Sequence, residues 1–241
     1  QDTHANFPIH ISNVKGNETF WGSKKYALTL GIKRANYPHM LFTDGNCKPI
    51  SQNWIRYMAS GFSTYNKIVL GYSNYKQEKG FLNLILRFDT MLNAIHYLSF
   101  AKAKMTYMGV GKNLAYTSDV YYDNRGFISH VKLPVGDDDL FVNEVANKYN
   151  TATIYQPDSF IEAEAISEWA DWFNIKKNRA WSFRHYKLKH KVLLLTYFFS
   201  SSLFWILTAS SFFFLPLETC LILIGIRILL QYLSIGISAY K

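Results

Sequence analysis

The chain has 241 residues, enough for one compact domain and a little more; 49% are hydrophobic and 17% aromatic, ample material for a core. With 26 Lys and Arg against 17 Asp and Glu the formal charge is +9, which leaves two classes of extended partner in view, nucleic acid and an anionic membrane surface. Two distant cysteines, Cys47 and Cys220, exclude a disulfide framework and fit a reducing compartment, and seven scattered histidines with no His-x-x-x-His or Cys-x-x-Cys pair give no zinc signature.

The opening "QDTHANFPIH" lacks an apolar signal-peptide core, and a start at Gln1 reads as a piece of a longer or processed product. "KKYALTLGIKRA" follows, with Tyr26, Leu28, Leu30 and Ile32 near Ala27 and Ala35, a mixed pattern that predicts a buried helix. "HMLFT" predicts a strand that ends in Asp44-Gly45-Asn46. That ending is either plain turn chemistry or the residue of a metal site. "KIVLGY", "YMGVGKNLAY" and "ATIYQP" predict further strands.

Within the second of these, "GVGKN" (Gly109 to Asn113) fails as a phosphate loop. It has neither the Walker spacing nor a Ser or Thr after the lysine, so a tight segment with close backbone approach is the better reading. Gly80 to Phe100 is apolar on most sides and looks interfacial. "DDDLFVNEVANKY" predicts a helix with Leu140, Phe141 and Val145 on one face. Strands alternating with helices argue for a layered α/β domain, with no internal repeat or low-complexity linker.

"ISEWADWFNIKKNRAW" places Ile166, Trp169, Ala170 and Phe173 on one helical face, with Trp172 broadening it and lysines following. Such a helix either packs on the domain core or lies in a bilayer interface; its place just before a long apolar stretch favours the interface. Residues 192–215 carry no charge and exceed the ~20 residues that cross a bilayer. After Pro216 a second apolar segment, residues 217–239, contains Arg227, which should face another helix, a wet cavity or the interface. Two full spans and a re-entrant hairpin both fit this pattern. The basic run Lys176 to Lys191 abuts the first span, and that placement favours a membrane over nucleic acid.

Three adjacent carboxylates, Asp137, Asp138 and Asp139, follow Gly136. Acids are favoured at a helix start, but like charges crowd one another, so a site in which one member is a general base is the competing reading.

Taken in order, "GSKKYALTLGIKRA", "HMLFTDGNCKPISQNWIRYM", "KIVLGY", "YMGVGKNLAY", "GDDDLFVNE", "WADWFNIKKNR" and the apolar tail resemble the membrane-anchored family-2 glycosyltransferases of GT-A fold, the broad group that includes cellulose and hyaluronan synthases. The resemblance runs from about Phe20 to the C-terminus. It implies an α/β, GT-A-like nucleotide-sugar transferase domain over residues 1–165, incomplete at its N-terminus because the family's first strand and base-gripping loop would precede "IHISNV". An interfacial helix and basic segment would occupy 166–191 and transmembrane helices 192–241.

The implied reaction is inverting transfer of a hexose from a nucleotide-sugar, a UDP-sugar in the first instance, to a lipid-linked or saccharide acceptor. It would run at the cytoplasmic face of a bacterial inner membrane, without nucleic acid. By the same resemblance Asp44 matches the first acid of the family's Asp-x-Asp motif while Asn46 replaces the second, so a Mg²⁺ or Mn²⁺ ion would be held weakly by this pair. Asp138 matches the catalytic base with Asp137 beside it, and Asp139 caps the helix. Lys24 matches a lysine near the donor nucleotide, although a solvated helix start explains it equally.

The Gln-x-x-Arg-Trp motif falls on Ile175 and Asn178, with Arg179 and Trp181 out of register near Trp172; this departure argues against a processive polymerase. Asn46, Ile175 and the missing N-terminal strand also motivate an alternative, a catalytically degenerate membrane protein acting as a scaffold or partner subunit.

Overall fold

Ile68, Val69 and Leu70 are fully buried, and they form an inner strand of the main sheet in the computed structural model, which describes residues 10–12 and 23–240. The strands are β1 (His39–Phe42), β2 (Cys47–Pro49), β3 (Ile68–Leu70), β4 (Ser73–Tyr75), β5 (Leu114–Thr117), β6 (Thr151–Thr153) and β7 (Ile161–Ala163). The main sheet has the order β1-β5-β3-β6, with β5 antiparallel to both neighbours and β3 parallel to β6. A smaller sheet has the order β2-β7-β4.

The helices are α1 (Ser23–Arg34), α2 (Trp54–Ser60), α3 (Phe81–Lys102), α4 (Ser118–Asp123), α5 (Asp139–Val145), α6 (Trp169–Phe183), α7 (Leu188–Ser211) and α8 (Leu217–Tyr240). Alternate residues of the inner strands serve different layers, as the two-residue period of a strand requires. Ile68, Leu70, Leu114 and Tyr116 pack with Tyr97 of α3 and with Phe141 and Val142 of α5, whereas Val69 and Ala115 pack with Met58 of α2. The fold is thus mixed α/β with two sheets and two apolar C-terminal helices.

Several expectations need correction. α1 is half-covered rather than buried: Ile32 is buried, Tyr26, Leu28 and Leu30 are half-buried and Ala27 is exposed. Only the end of "YMGVGKNLAY" is strand; Gly111–Asn113 is a 3₁₀ turn, because the chain bends there to bring Gly111 against Asp138. α5 stops at Val145, four residues short of Tyr149, because Ala146 turns to extended backbone. Ile166 lies before α6, outside its helical face.

α7 and α8 are long and apolar enough to cross a membrane. At 24 residues each, they extend about 36 Å at 1.5 Å per residue. They form an antiparallel hairpin around Pro216, pinned where Ser211 Oγ meets Cys220 Sγ at 3.3 Å. Arg227 faces α7, one of the placements expected of it. It donates to Ser201 Oγ at 3.4 Å and lies 5.2 Å from the centre of the Phe204 ring.

Candidate active site

Two adjacent lysines open α1 and, about 100° apart around the helix, reach different partners. Lys24 Nζ lies 3.3 Å from an Asp44 carboxylate oxygen and 3.0 Å from one of Asp137. Burial would depress the Lys24 ammonium, but Asp137, Asp44 and Asp138 together outweigh it and hold its pKa above the ordinary lysine value. Lys25 is buried and turns away from the acids. Its ammonium donates to the carbonyls of His130, Leu133 and Val135 at 2.7, 2.8 and 2.6 Å.

Asp44 is presented by the turn after β1. The Cys47 N–H donates to the Asp44 carbonyl at 3.0 Å, closing a four-residue turn over Gly45 and Asn46. The Asn46 carbonyl is taken by the Glu164 N–H at 3.0 Å, which ties the turn to the end of β7. The Asn46 side chain is exposed. Asp44 thus lines the cavity while the Asn46 side chain lies outside its lining. The cation nearest Asp44 is Lys24, and the carboxylate that shares it is Asp137.

Asp138 caps α5, the role expected of Asp139. The Asp139 N–H donates to Asp138 Oδ1 at 2.6 Å and the Gly111 N–H to Oδ2 at 2.7 Å. Burial first, then the neighbouring Asp139 and Asp137, push the Asp138 carboxyl up to about 7, against the pull of the Gly111 N–H and Lys24. Asp139 does something else: its carboxylate accepts the Tyr186 hydroxyl at 3.1 Å and so ties the turn between α6 and α7 to α5.

Gly136, with φ at +100°, sets the loop direction just before these acids. A Cβ there would come within 2.4 Å of Leu140 Cδ1. Gly136→Ala should therefore lower stability by about 1–3 kcal/mol, read as a lower thermal midpoint in detergent.

These groups meet in a cavity of about 360 Å³. Lys24, Asp44, Asp137 and Asp138 form its acidic and donor side. α6 closes it with Ile175, Asn178, Arg179 and Ser182, an i, i+3, i+4, i+7 face. The two positions matched to the Gln-x-x-Arg-Trp motif, Ile175 and Asn178, thus both face the cavity, and so does Arg179. Asp89 of α3 pairs with Lys176 and, at 3.3 Å, with Arg179, which holds Arg179 over the opening. Trp172 and Trp181 do not line the cavity. Trp172 stacks edge-on with Trp169 and Phe173, and Trp181 is 41% exposed.

Sequence reasoning missed the opposite wall, where Lys112 lies 3.9 Å from the Tyr75 ring centre and both residues line the cavity. The signal was present in "GVGKN". Its close backbone approach is real, since a Cβ on Gly111 would meet Asp138 Oδ2 at 3.3 Å. Asn113 anchors that turn: it accepts the Trp54 indole N–H at 3.0 Å and donates to the carbonyls of Tyr72 and Ser159, each at 2.8 Å.

No protein-family model matches this chain, and no curated protein matches it.

Proposed function

We propose that this chain is a membrane-anchored glycosyltransferase that moves a sugar from a nucleotide-sugar donor, a UDP-sugar in the first instance, to a hydroxyl of a lipid-linked or saccharide acceptor. The observation that carries this reading is the meeting, in one cavity, of Lys24, Asp44, Asp137 and Asp138 with the inner face of α6. These segments lie far apart in sequence yet supply the cations, acids and lid that such a transfer needs.

In this reading Lys24, Lys112 and Arg179 bind the donor diphosphate, whose charge they offset at short range. Asp138 takes the proton of the acceptor hydroxyl as its oxygen attacks the anomeric carbon. The bond from that carbon to the diphosphate oxygen breaks, and the nucleoside diphosphate departs with the electron pair. A base whose pKa is raised toward neutrality suits this task better than an ordinary carboxylate. In this reading α7 and α8 cross the bilayer, and the domain lies on the cytoplasmic side, the side that a run of Lys and Arg such as Lys176 to Lys191 beside a span favours.

Ile175 is the observation that favours the second reading, a non-catalytic partner subunit, because it puts an apolar side chain on the cavity wall where the resembled motif has a glutamine.

Calorimetric titration of UDP and UDP-sugars into the detergent-solubilised chain, with and without Mn²⁺, separates the two. The transferase reading expects UDP binding that weakens about tenfold in Lys24→Met, the loss of one charge-assisted hydrogen bond. Because Asn46 is exposed at its turn, Asn46→Asp should leave the response to Mn²⁺ unchanged. Absence of UDP binding would favour the partner-subunit reading.

A further inference from the structure

α5 has seven residues, too few to hold its place by its own hydrogen bonds. One side of it is core, since Leu140, Phe141 and Val142 are buried among apolar neighbours. A second side, Asp139 and Asn143, lies four residues apart and so one above the other. It is buried as well, at 7% and 1% exposed, and it is polar. Buried acids and amides are costly unless they are bonded, so their partners decide what this side does.

Most of those partners lie in residues 186–190. The Tyr186 hydroxyl donates to Asp139 Oδ2 at 3.1 Å, and the Lys187 N–H donates to Asn143 Oδ1 at 2.9 Å. The Asn143 amide nitrogen donates to the Tyr107 carbonyl at 2.6 Å and to His190 Nδ1 at 2.9 Å, which leaves the ring hydrogen of His190 on Nε2. Both amide hydrogens and the oxygen of Asn143 are thus engaged, and this side of α5 is fixed in one arrangement. Asp139 is held as fully. Besides Tyr186 it accepts from the Leu140 N–H at 2.7 Å and from the buried Ser182 hydroxyl. The donors to Asp138, by contrast, are the backbone N–H groups of Gly111 and Asp139.

We propose, in an inference that rests on the transferase reading above, that Tyr186 is a positioning residue for the transfer: its hydroxyl holds Asp139 against the turn between α6 and α7, and so sets Asp138, the residue before it, on the cavity wall as the group that takes the acceptor's proton. Two adjacent buried carboxyls compete for one proton. The hydroxyls of Ser182 and Tyr186 favour the charged form at Asp139, and that charge, after burial, raises the Asp138 carboxyl. The other charged groups facing the pair are Asp137 beside it, Lys24 and Lys25 on α1, and Glu144 farther along α5. Lys112 and Arg179 stand across the cavity, and His190 lies one turn away on Asn143. Tyr186, with Tyr107 and Tyr116 nearby, stays neutral, since burial raises all three hydroxyls.

Infrared pH-difference spectra of the full chain in detergent test this without a substrate, and so independently of the UDP titration that tests the transferase reading. The C=O stretch of a protonated carboxyl, assigned to Asp138 by its loss in Asp138→Asn, should titrate through about 7 in the wild type. Tyr186→Phe keeps the ring and removes one donor from Asp139. Asp139 then takes up a proton more readily and its charge weighs less on Asp138. The Asp138 band should therefore titrate at lower pH, by about one unit, the worth of one hydrogen bond to a charged group. Tyr107→Phe is the matched control. Its ring centre lies 6.2 Å from that of Tyr186 and, among the described residues, no hydrogen bond joins its hydroxyl to Asp139, so the midpoint should stay at the wild-type value. An unchanged midpoint in Tyr186→Phe, or an equal shift in Tyr107→Phe, overturns the proposal. A wild type without a titrating carboxyl that Asp138→Asn removes overturns it too. Should Tyr186→Phe not fold, Ser182→Ala, which takes away the second hydroxyl, decides by the same readout. Absent UDP binding removes the transferase reading, whatever the band does, and the positioning role with it.

Discussion

Asp138→Asn is expected to reduce sugar transfer by about 10³-fold, within the range that one positioned general base supplies, while calorimetric UDP affinity stays unchanged. Binding survives because the donor side of the cavity is built on Lys24 with Asp44 and Asp137, and neither ion pair involves Asp138. Turnover that is unaffected would remove Asp138 from the base role. The pH profile gives an independent check. The base works deprotonated, so wild-type turnover should rise with pH through about 7, where burial and two neighbouring acids have moved the Asp138 carboxyl.

The same shift has a consequence for stability, of definite sign. A carboxyl raised in the fold contributes stability that is complete below its unfolded pKa of ~3.9. That contribution is lost as pH rises through about 7. Asp138→Asn removes the titration, so its thermal midpoint relative to wild type should climb between those two pH values. A constant offset is expected beneath the trend, because an amide keeps only one oxygen for the two N–H donors that Asp138 now accepts. One unsatisfied donor costs about 1–3 kcal/mol at every pH. The slope is the readout.

What could be read from sequence followed from how strong each physical signal was. α3, α7 and α8 were legible because long apolar runs have few alternatives. β2, β4 and β7 were not: each has three residues, and Pro49, Ser73, Asn74 and Glu162 erase any alternation. In the site, Lys24, Asp44 and the Asp137–Asp138 pair were legible because their order along the chain carries information that no single residue holds. Lys112 was passed over because "GVGKN" was tested as a phosphate loop, whereas its lysine enters the cavity through a 3₁₀ turn. The exposed Asn46 and Trp181, and Trp172 packed against Trp169 and Phe173 away from the cavity, mark the opposite error, since motif spacing does not say which way a side chain points. Lys25 was invisible for a different reason: hydrophobic periodicity ranks apolar residues, and here a buried residue in the first half of α1 is a charge.

That charge should carry the largest single contribution to stability near the site. Lys25 is 2% exposed, and its ammonium closes on three backbone carbonyls, of His130, Leu133 and Val135, with no carboxylate in contact. Burial depresses its pKa, and the surrounding Asp137, Asp139, Asp138 and Glu144 oppose that change. The carbonyls belong to a loop with little regular structure of its own, and it leads directly to Gly136, Asp137 and Asp138. Lys25→Met keeps most of the volume but leaves three carbonyls without this donor, a loss of about 3–5 kcal/mol for breaking a buried charged network. At roughly 2–4 °C per kcal/mol for a chain of this size, the thermal midpoint followed by tryptophan fluorescence in detergent should fall by about 6–20 °C. Lys24→Met, whose side chain is 54% exposed, should barely move it while weakening UDP binding. Two lysines adjacent in sequence therefore separate by experiment, Lys25 through the midpoint and Lys24 through the ligand. Equal midpoint losses in the two variants would show that the 130–135 loop is not held by Lys25.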